Sequence, residues 1–277
     1  MNGSRKRTEW RGVGNRPLIS VITVVLNDMA GFVATANSVI RQSGVDYEYA
    51  VKDGGSSDGT WDLVRRFGSF IDIAETGNDG GIYGAMNQAV RMASGKWIAF
   101  LNAGDVYTDG ALGRLAEHAR KGGDVIYSDV KSAESGKLHP YHSADEYWKG
   151  MTFDHQSCLV RRRLLLQNPF DEGLRIAGDL DFFSRLHASG RRFAKVESVT
   201  AIKPFSRGAS VGYAQRFPER FEVLMRNFSK THPVEAALTD ELSQHAQARG
   251  LKIDEDESVE SILERLRKVE QDASAGT

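Results

Sequence analysis

Three short segments of this chain carry the residue types that bind phosphate, sugar and cation. They are Asn27-Asp28, the run Asp53-Gly54-Gly55-Ser56-Ser57-Asp58-Gly59-Thr60, and Asn102-Ala103-Gly104-Asp105. Carboxylates accept from N–H and O–H groups and hold hard cations, and glycine lets backbone N–H groups approach a ligand closely. Asp53 suits a nucleobase N–H or a ribose hydroxyl. Asp105 suits a cation, and a cation there suits a phosphate. Asn27, Gly54, Asn102 and Ala103 flank these acids, whereas Asp58 and Thr60 read more simply as helix caps. A fourth run, Gly77-Asn78-Asp79-Gly80-Gly81, is either a tight turn or a seat for a diphosphate or sugar at a helix N-terminus, contacted by Asp79 and Gly81. Neither the Walker phosphate loop nor the dinucleotide fingerprint occurs.

Each polar cluster follows an apolar run of strand length: Ile19–Leu26, Tyr47–Val51 and Trp97–Leu101. Ile71–Ala74 adds a fourth strand. Helical spacing separates them, in Phe32/Ala36/Val39/Ile40, Leu63/Val64/Phe67, Ile82/Ala85/Met86/Ala89/Val90/Ala93 and Leu112/Leu115/Ala116/Ala119. Strand-helix alternation predicts right-handed βαβ units and a parallel sheet, so the three clusters open on one edge of that sheet and outline a nucleotide-sized cleft. After Asp124 the pattern changes. Strands are expected at Val125–Tyr127, Ser157–Val160 and Phe193–Ile202, a helix at Leu180–Leu186, and irregular connections or a hairpin up to His142. From Tyr213 the chain reads as helical, and Val259, Ile262, Leu263, Leu266 and Val269 form a stripe that packs on its own domain or, as a minority reading, joins two copies in a homodimer.

The 277 residues allow one large α/β domain with an appendage. A formal net charge of −1 gives no support to nucleic acid as a partner. The single cysteine, Cys158, excludes an internal disulfide and points to a reducing, cytoplasmic compartment. No apolar run approaches the ~20 residues of a membrane helix. The basic start (Arg5, Lys6, Arg7, Arg11, Arg16) lacks the apolar core of a signal peptide. Residues 1–16 are therefore expected to be a basic, flexible tail, with peripheral association at the inner face of a membrane as the sharper alternative.

The motifs, taken in order, resemble glycosyltransferase family 2. They are Ile19-Ser20-Val21-Ile22-Thr23-Val24 with Asn27, Lys52–Thr60, Gly81-Ile82-Tyr83-Gly84-Ala85-Met86-Asn87, and Phe100–Asp105. The likeness runs from about Pro17 to Pro204 and is closest to bacterial enzymes of polysaccharide assembly, such as the colanic-acid type. It implies a GT-A fold, a Rossmann-like, mostly parallel sheet flanked by helices. Residues 17–212 would form that domain (17–123 the nucleotide half, 124–212 the acceptor half), and 213–277 a helical C-terminal region. It implies a nucleotide-sugar donor, UDP- or GDP-linked, and inversion at the anomeric carbon. By the same resemblance Thr23 and Val24 line the base and ribose, Asp53 contacts the nucleobase, Asn87 lies with the donor sugar and diphosphate, and Asp105 is the last acid of the DxD motif that holds Mg2+ or Mn2+. This chain departs from the pattern: Asn102 and Gly104 stand where acids are common, leaving Asp105 as the loop's charge.

An inverting transfer needs a base for the acceptor hydroxyl. The segment Ala177-Gly178-Asp179-Leu180-Asp181 resembles the family's acidic pair, with Gly178 in place of the first acid, so Asp179 aligns with the catalytic one. Asp181 lies about 200° round a helix from Asp179 and four residues before Arg185, a pairing distance. Asp154-His155-Gln156-Ser157 resembles the acceptor-side segment and makes His155 an acceptor-site candidate. Arg207 is either a surface arginine or a closing contact on the diphosphate. The expected function is a metal-dependent inverting transfer from a nucleotide-sugar to a saccharide or lipid-linked acceptor. The alternatives are a non-catalytic nucleotide-sugar-binding partner in polysaccharide assembly and, disfavoured by the acidic Asn27-Asp28, a sugar-nucleotide pyrophosphorylase.

Overall fold

The computed structural model describes residues 6–9, 16–139, 144–204, 213–254 and 257–275. The elements in chain order are β1 (Lys6–Glu9), β2 (Ile19–Val25), α1 (Met29–Ile40), β3 (Tyr47–Asp53), α2 (Thr60–Arg66), β4 (Ile73–Thr76), α3 (Ile82–Met92), β5 (Trp97–Phe100), β6 (Val106–Tyr107), α4 (Ala111–Lys121), β7 (Val125–Ser132), β8 (Cys158–Arg161), α5 (Arg162–Gln167), α6 (Gly178–Ala188), β9 (Phe193–Lys203), α7 (Tyr213–Phe228), α8 (Val234–Gln247) and α9 (Val259–Ala275). Short 3-10 turns at Ala144–Lys149 and His155–Ser157 fill the segment between β7 and β8.

All nine strands join one sheet in the order β1-β4-β3-β2-β5-β8-β7-β9-β6. β4, β3, β2 and β5 run parallel, as the strand-helix alternation predicts. β8 enters antiparallel between β5 and β7, and β9 lies parallel to β7. Strands of a parallel sheet are covered on both faces and read as continuous apolar runs. β2 shows how. Ile19, Val21 and Val25 face the layer of α1, α2 and α4 with Phe32, Val39 and Leu115, while Ile22 and Val24 face α3 and α6 with Met86, Ala89 and Phe182.

Two expectations change. Residues 6–9 are not free tail: they pair antiparallel with β4, from Lys6 opposite Thr76 to Glu9 opposite Ile73. An edge strand offers unpaired N–H and C=O groups, and this segment meets them. The fourth strand begins two residues later than its apolar run and ends on Thr76, a shift that matters for the site. The C-terminal region is helical as expected, and Ile262, Leu263 and Leu266 of its apolar stripe are buried in the same core as α7 and α8, the packing on its own domain that the stripe suggests. No helix among the described residues is long and apolar enough to cross a membrane.

Candidate active site

The carboxyl ends of β2, β3, β4 and β5 meet at one edge. Register puts Val25 opposite Asp53, and Asp53 opposite Thr76. Asp53 is fully buried. Its Oδ2 accepts from the N–H groups of Gly55 (3.0 Å) and Ser56 (3.1 Å) and from the Thr76 hydroxyl. Its Oδ1 has no partner among the described residues. One oxygen of this buried carboxylate is fixed, and the other is open to accept a further N–H or O–H. Lys52, also fully buried, donates to the carbonyls of Asp53 and Gly77 at 2.7 Å each and lies 3.6 Å from Asp79. It thereby ties the Asp53 loop to the Gly77–Gly81 loop, where Asp79 Oδ1 accepts from the Gly81 N–H at the start of α3. Asn27, in the left-handed region (φ +50°), donates its N–H to Ser56 Oγ and accepts from the Ser57 N–H, both at 2.8 Å.

The loop after β5 is clamped from α1. The Thr35 hydroxyl donates to the carbonyl of Asp105 (2.7 Å) and receives the Gly104 N–H (3.0 Å). Gly104 holds φ +95°, a conformation that strains any side chain, which accounts for the acid missing there. Asp105 is 6% exposed, and burial pushes its carboxyl up to about 6 against the pull of the Lys203 and His155 charges and a Gln156 hydrogen bond.

Asp179 lies in the first turn of α6, which starts at Gly178, two residues before the expected helix. Its Oδ2 lies 3.1 Å from His155 Nδ1, and its Oδ1 accepts from the Leu180 N–H at 2.8 Å. His155 Nε2 lies 3.2 Å from Asn102 Nδ2. The tautomer that carries its proton on Nδ1 donates it to Asp179, and a second ring proton adds a positive charge beside the carboxylate. Burial alone would raise the Asp179 carboxyl, but the His155 hydrogen bond and charge, with the Leu180 N–H, hold it below the usual carboxylate range. The missing first acid also has a local cause. A Cβ on Gly178 would lie 2.6–2.7 Å from carbons of the Tyr83 ring, whose hydroxyl donates to the Ile176 carbonyl at 2.7 Å. Asp181 is buried and paired with Arg185 at 2.8 Å and Arg226 at 2.6 Å, a structural role.

The nucleotide-half residues, Asn102, Asp105, His155 and Asp179 thus gather along one edge, while three of the expected contact residues turn inward. The Thr23 hydroxyl is fully buried, donates to the Leu101 carbonyl at 2.9 Å and lies 3.0 Å from the Tyr49 hydroxyl, so it belongs to the core. The Val24 side chain is buried and its carbonyl accepts from the Ala103 N–H, fixing the loop to the strand. Asn87 grips the far half of the domain: its Nδ2 donates to Phe170 O and Glu172 Oε1 at 2.9 Å, and its Oδ1 accepts from the Phe170 N–H at 3.0 Å. Three of the amide's four hydrogen-bonding positions are thus taken within the protein. Arg207 lies outside the described residues.

Lys203 is a site residue that sequence reasoning missed. It ends β9 and donates to Asp154 Oδ1 at 3.1 Å. Burial alone would lower its ammonium, but the charges of Asp154, Asp105 and Asp179 outweigh that and hold it above its usual range. Thr76 and Lys52 were missed too. A buried lysine beside an acid in Lys52-Asp53 was the available signal for one of them; nothing local marks the other two.

The DxD reading implies a divalent cation. Among the described residues no three His, Cys, Asp or Glu side chains converge to hold one. One turn does offer two oxygens, the Asp105 carboxylate and Asn102 Oδ1, which is buried and without a hydrogen-bond partner among the described residues. Such a hard, oxygen-only pair fits Mg2+ or Mn2+ when a diphosphate completes the shell.

Known proteins are similar to this chain in sequence or in fold. A "PGL/p-HBAD biosynthesis glycosyltransferase" of Mycobacterium bovis is 32% identical over 176 residues, covering 60% of this chain and 68% of that relative. The "UDP-Glc:alpha-D-GlcNAc-diphosphoundecaprenol beta-1,3-glucosyltransferase WfaP" of Escherichia coli is 32% identical over 91 residues, 32% of this chain and 36% of that protein. Among solved structures, S. aureus TarS 1–349 in complex with UDP-GlcNAc superimposes with a TM-score of 0.62 at 17% identity, covering 86% of this chain and 76% of that one. The likeness spans 39% of another, longer TarS chain. The mannosyltransferase PcManGT of Pyrobaculum calidifontis, in complex with GDP-Man and Mn2+, gives 0.58 at 18% identity over 95% of this chain and 76% of its own. These structures share the GT-A-like layout of a curled sheet flanked by helices. The model of the family "Glycosyl transferase family 2" matches residues 20–192, more than half of the chain, and the protein therefore belongs to glycosyltransferase family 2.

Proposed function

We propose that this glycosyltransferase moves a sugar, with inversion and with a divalent cation, from a UDP- or GDP-linked donor to a saccharide or lipid-linked acceptor in cell-surface polysaccharide assembly, at the cytoplasmic face of the membrane. The observation that carries this reading is the Asp179 carboxylate, held ionised by His155 at the same edge as Asp105. Asp53 Oδ1 accepts from the nucleobase. Asp105 and Asn102 Oδ1 would hold the cation, which when bound neutralises the diphosphate as it leaves. Asp179 takes the acceptor hydroxyl's proton as the new C–O bond forms at the anomeric carbon. The bond from that carbon to the diphosphate breaks, and the nucleoside diphosphate departs with the electron pair. His155 steers the base through Nδ1 and links it through Nε2 to the loop that carries Asp105. It positions the base, where the sequence reading made it an acceptor contact. The diphosphoundecaprenol-linked acceptor in the name of the Escherichia coli relative supports the acceptor class.

The test is a panel of UDP- and GDP-sugars assayed for transfer or donor hydrolysis with Mn2+, Mg2+ or chelator. Cation-dependent turnover of one donor is the expected result. Nucleotide binding without turnover of any donor would favour the non-catalytic binding partner instead.

A further inference from the structure

The sheet edge opposite the donor cleft carries its own recess, and it is cationic. Arg16 lies just before β2, Lys96 just before β5, and Arg161 ends β8 as it runs into α5 with Arg162 and Arg163. β5 and β8 are antiparallel, with Trp97 opposite Arg161, which brings these three chain segments together. The five cations line a cleft of about 470 Å³. The mechanism above uses none of them.

Three of the five cations are fixed by the protein, while Lys96 and Arg163 reach into solvent. Arg16 Nε donates to the Ser94 carbonyl at 2.5 Å, Arg161 Nε to the Gly123 carbonyl at 3.1 Å, and Arg162 Nε to the Val90 carbonyl at 3.1 Å. The Arg161 guanidinium also stacks on the Trp97 ring, 4.1 Å from its centroid. Anchoring three guanidinium groups through Nε to backbone carbonyls holds their terminal forks in set directions, the geometry that suits phosphate oxygens. The nearby acids offset only part of the charge. Asp124 pairs with Arg163 at 3.3 Å. Glu48 is buried and bonded to Ser20, Ser94 Oγ and the Ser94 N–H. Burial, and then the neighbouring Arg16 charge, lower Arg162 below its usual range.

We propose that this recess is a second anion site, which takes the phosphate of a ligand separate from the donor. A soluble polyphosphate and an anionic lipid headgroup share that chemistry. Leu166 is 45% exposed and lies one turn along α5 from Arg162, so a headgroup would also find an apolar contact beside the charges.

The full chain is titrated with inorganic tripolyphosphate by calorimetry and, in parallel, sedimented with vesicles of two parts phosphatidylcholine to one part phosphatidylglycerol. The comparison protein is the double variant Lys96→Glu/Arg163→Gln, with Lys96→Glu alone in reserve if the double variant melts early. Tight binding of either probe by the wild type, weakened roughly tenfold or more in the variant with donor turnover unchanged, supports the site. The probe that binds names the source: tripolyphosphate a soluble ligand, vesicles a membrane. Absence of binding to both probes, or equal binding by the variant, overturns the proposal.

Discussion

Replacing Asp105 by Asn should make the protein both inactive and more stable. The carboxyl is buried, and burial lifts it from 3.8 to about 6. A carboxyl whose pKa rises on folding holds its proton more tightly in the folded chain. Its contribution to stability is therefore full below pH 3.8 and is lost as the pH rises through 6. A separation of about two pKa units corresponds to about 3 kcal/mol at pH 8. Asparagine keeps the size and an acceptor oxygen for Gln156 while removing the charge. In chelator, Asp105→Asn should exceed the wild type in unfolding free energy by up to about 3 kcal/mol at pH 8, and the gap should close towards pH 4. Urea unfolding followed by tryptophan fluorescence at pH 4, 6 and 8 measures it. A gap that does not change with pH, or a variant less stable than wild type at pH 8, would refute the reasoning. Loss of turnover in the same variant would show that the strained charge is kept for chemistry.

The remaining substitutions probe the parts around it. His155→Ala removes a hydrogen bond to a charged group worth about 1.5–3 kcal/mol. It should lower kcat roughly ten- to hundredfold and move the acid limb of the kcat profile to higher pH, because Asp179 loses what depresses it; an unmoved limb would make His155 merely structural. Gly178→Ala drives a methyl into the Tyr83 ring, so thermal melting should report about 1–3 kcal/mol of destabilisation with reduced kcat; a neutral result would mean the ring yields freely. Thr23→Val strands its hydrogen-bond partners in the core and should cost about 1–2 kcal/mol in denaturant unfolding while leaving the donor KM unchanged. A raised KM would put Thr23 back in the site.

The three acids at the centre of the site were legible because each stands where an apolar run stops or a helix starts, and such ends are surface features of an α/β sheet. The parallel half of the fold was legible for the same reason: its strands and helices differ in hydrophobic period. Thr23 and Asn87 make side-chain contacts within the protein that their motifs do not show. The Thr23 hydroxyl meets Leu101 across the sheet, and Asn87 meets Phe170, 83 residues away. Pairings at that distance leave no local pattern. Lys203 reaches Asp154 from a strand end nearly fifty residues on, and β1 and the two-residue β6 are too short to show a period. Two of the three missing acids, at 104 and 178, became intelligible only in three dimensions, one through a positive φ and the other through the Tyr83 ring.

The central claim is that Asp179 is the base of a transfer reaction while donor recognition is carried by the ends of β3 and β5. It is tested most directly by Asp179→Asn, with donor binding by calorimetry and transfer by product analysis on the same preparation. The account expects donor affinity close to wild type and turnover lowered by roughly a hundredfold or more. Full-rate transfer by a folded Asp179→Asn protein would contradict it.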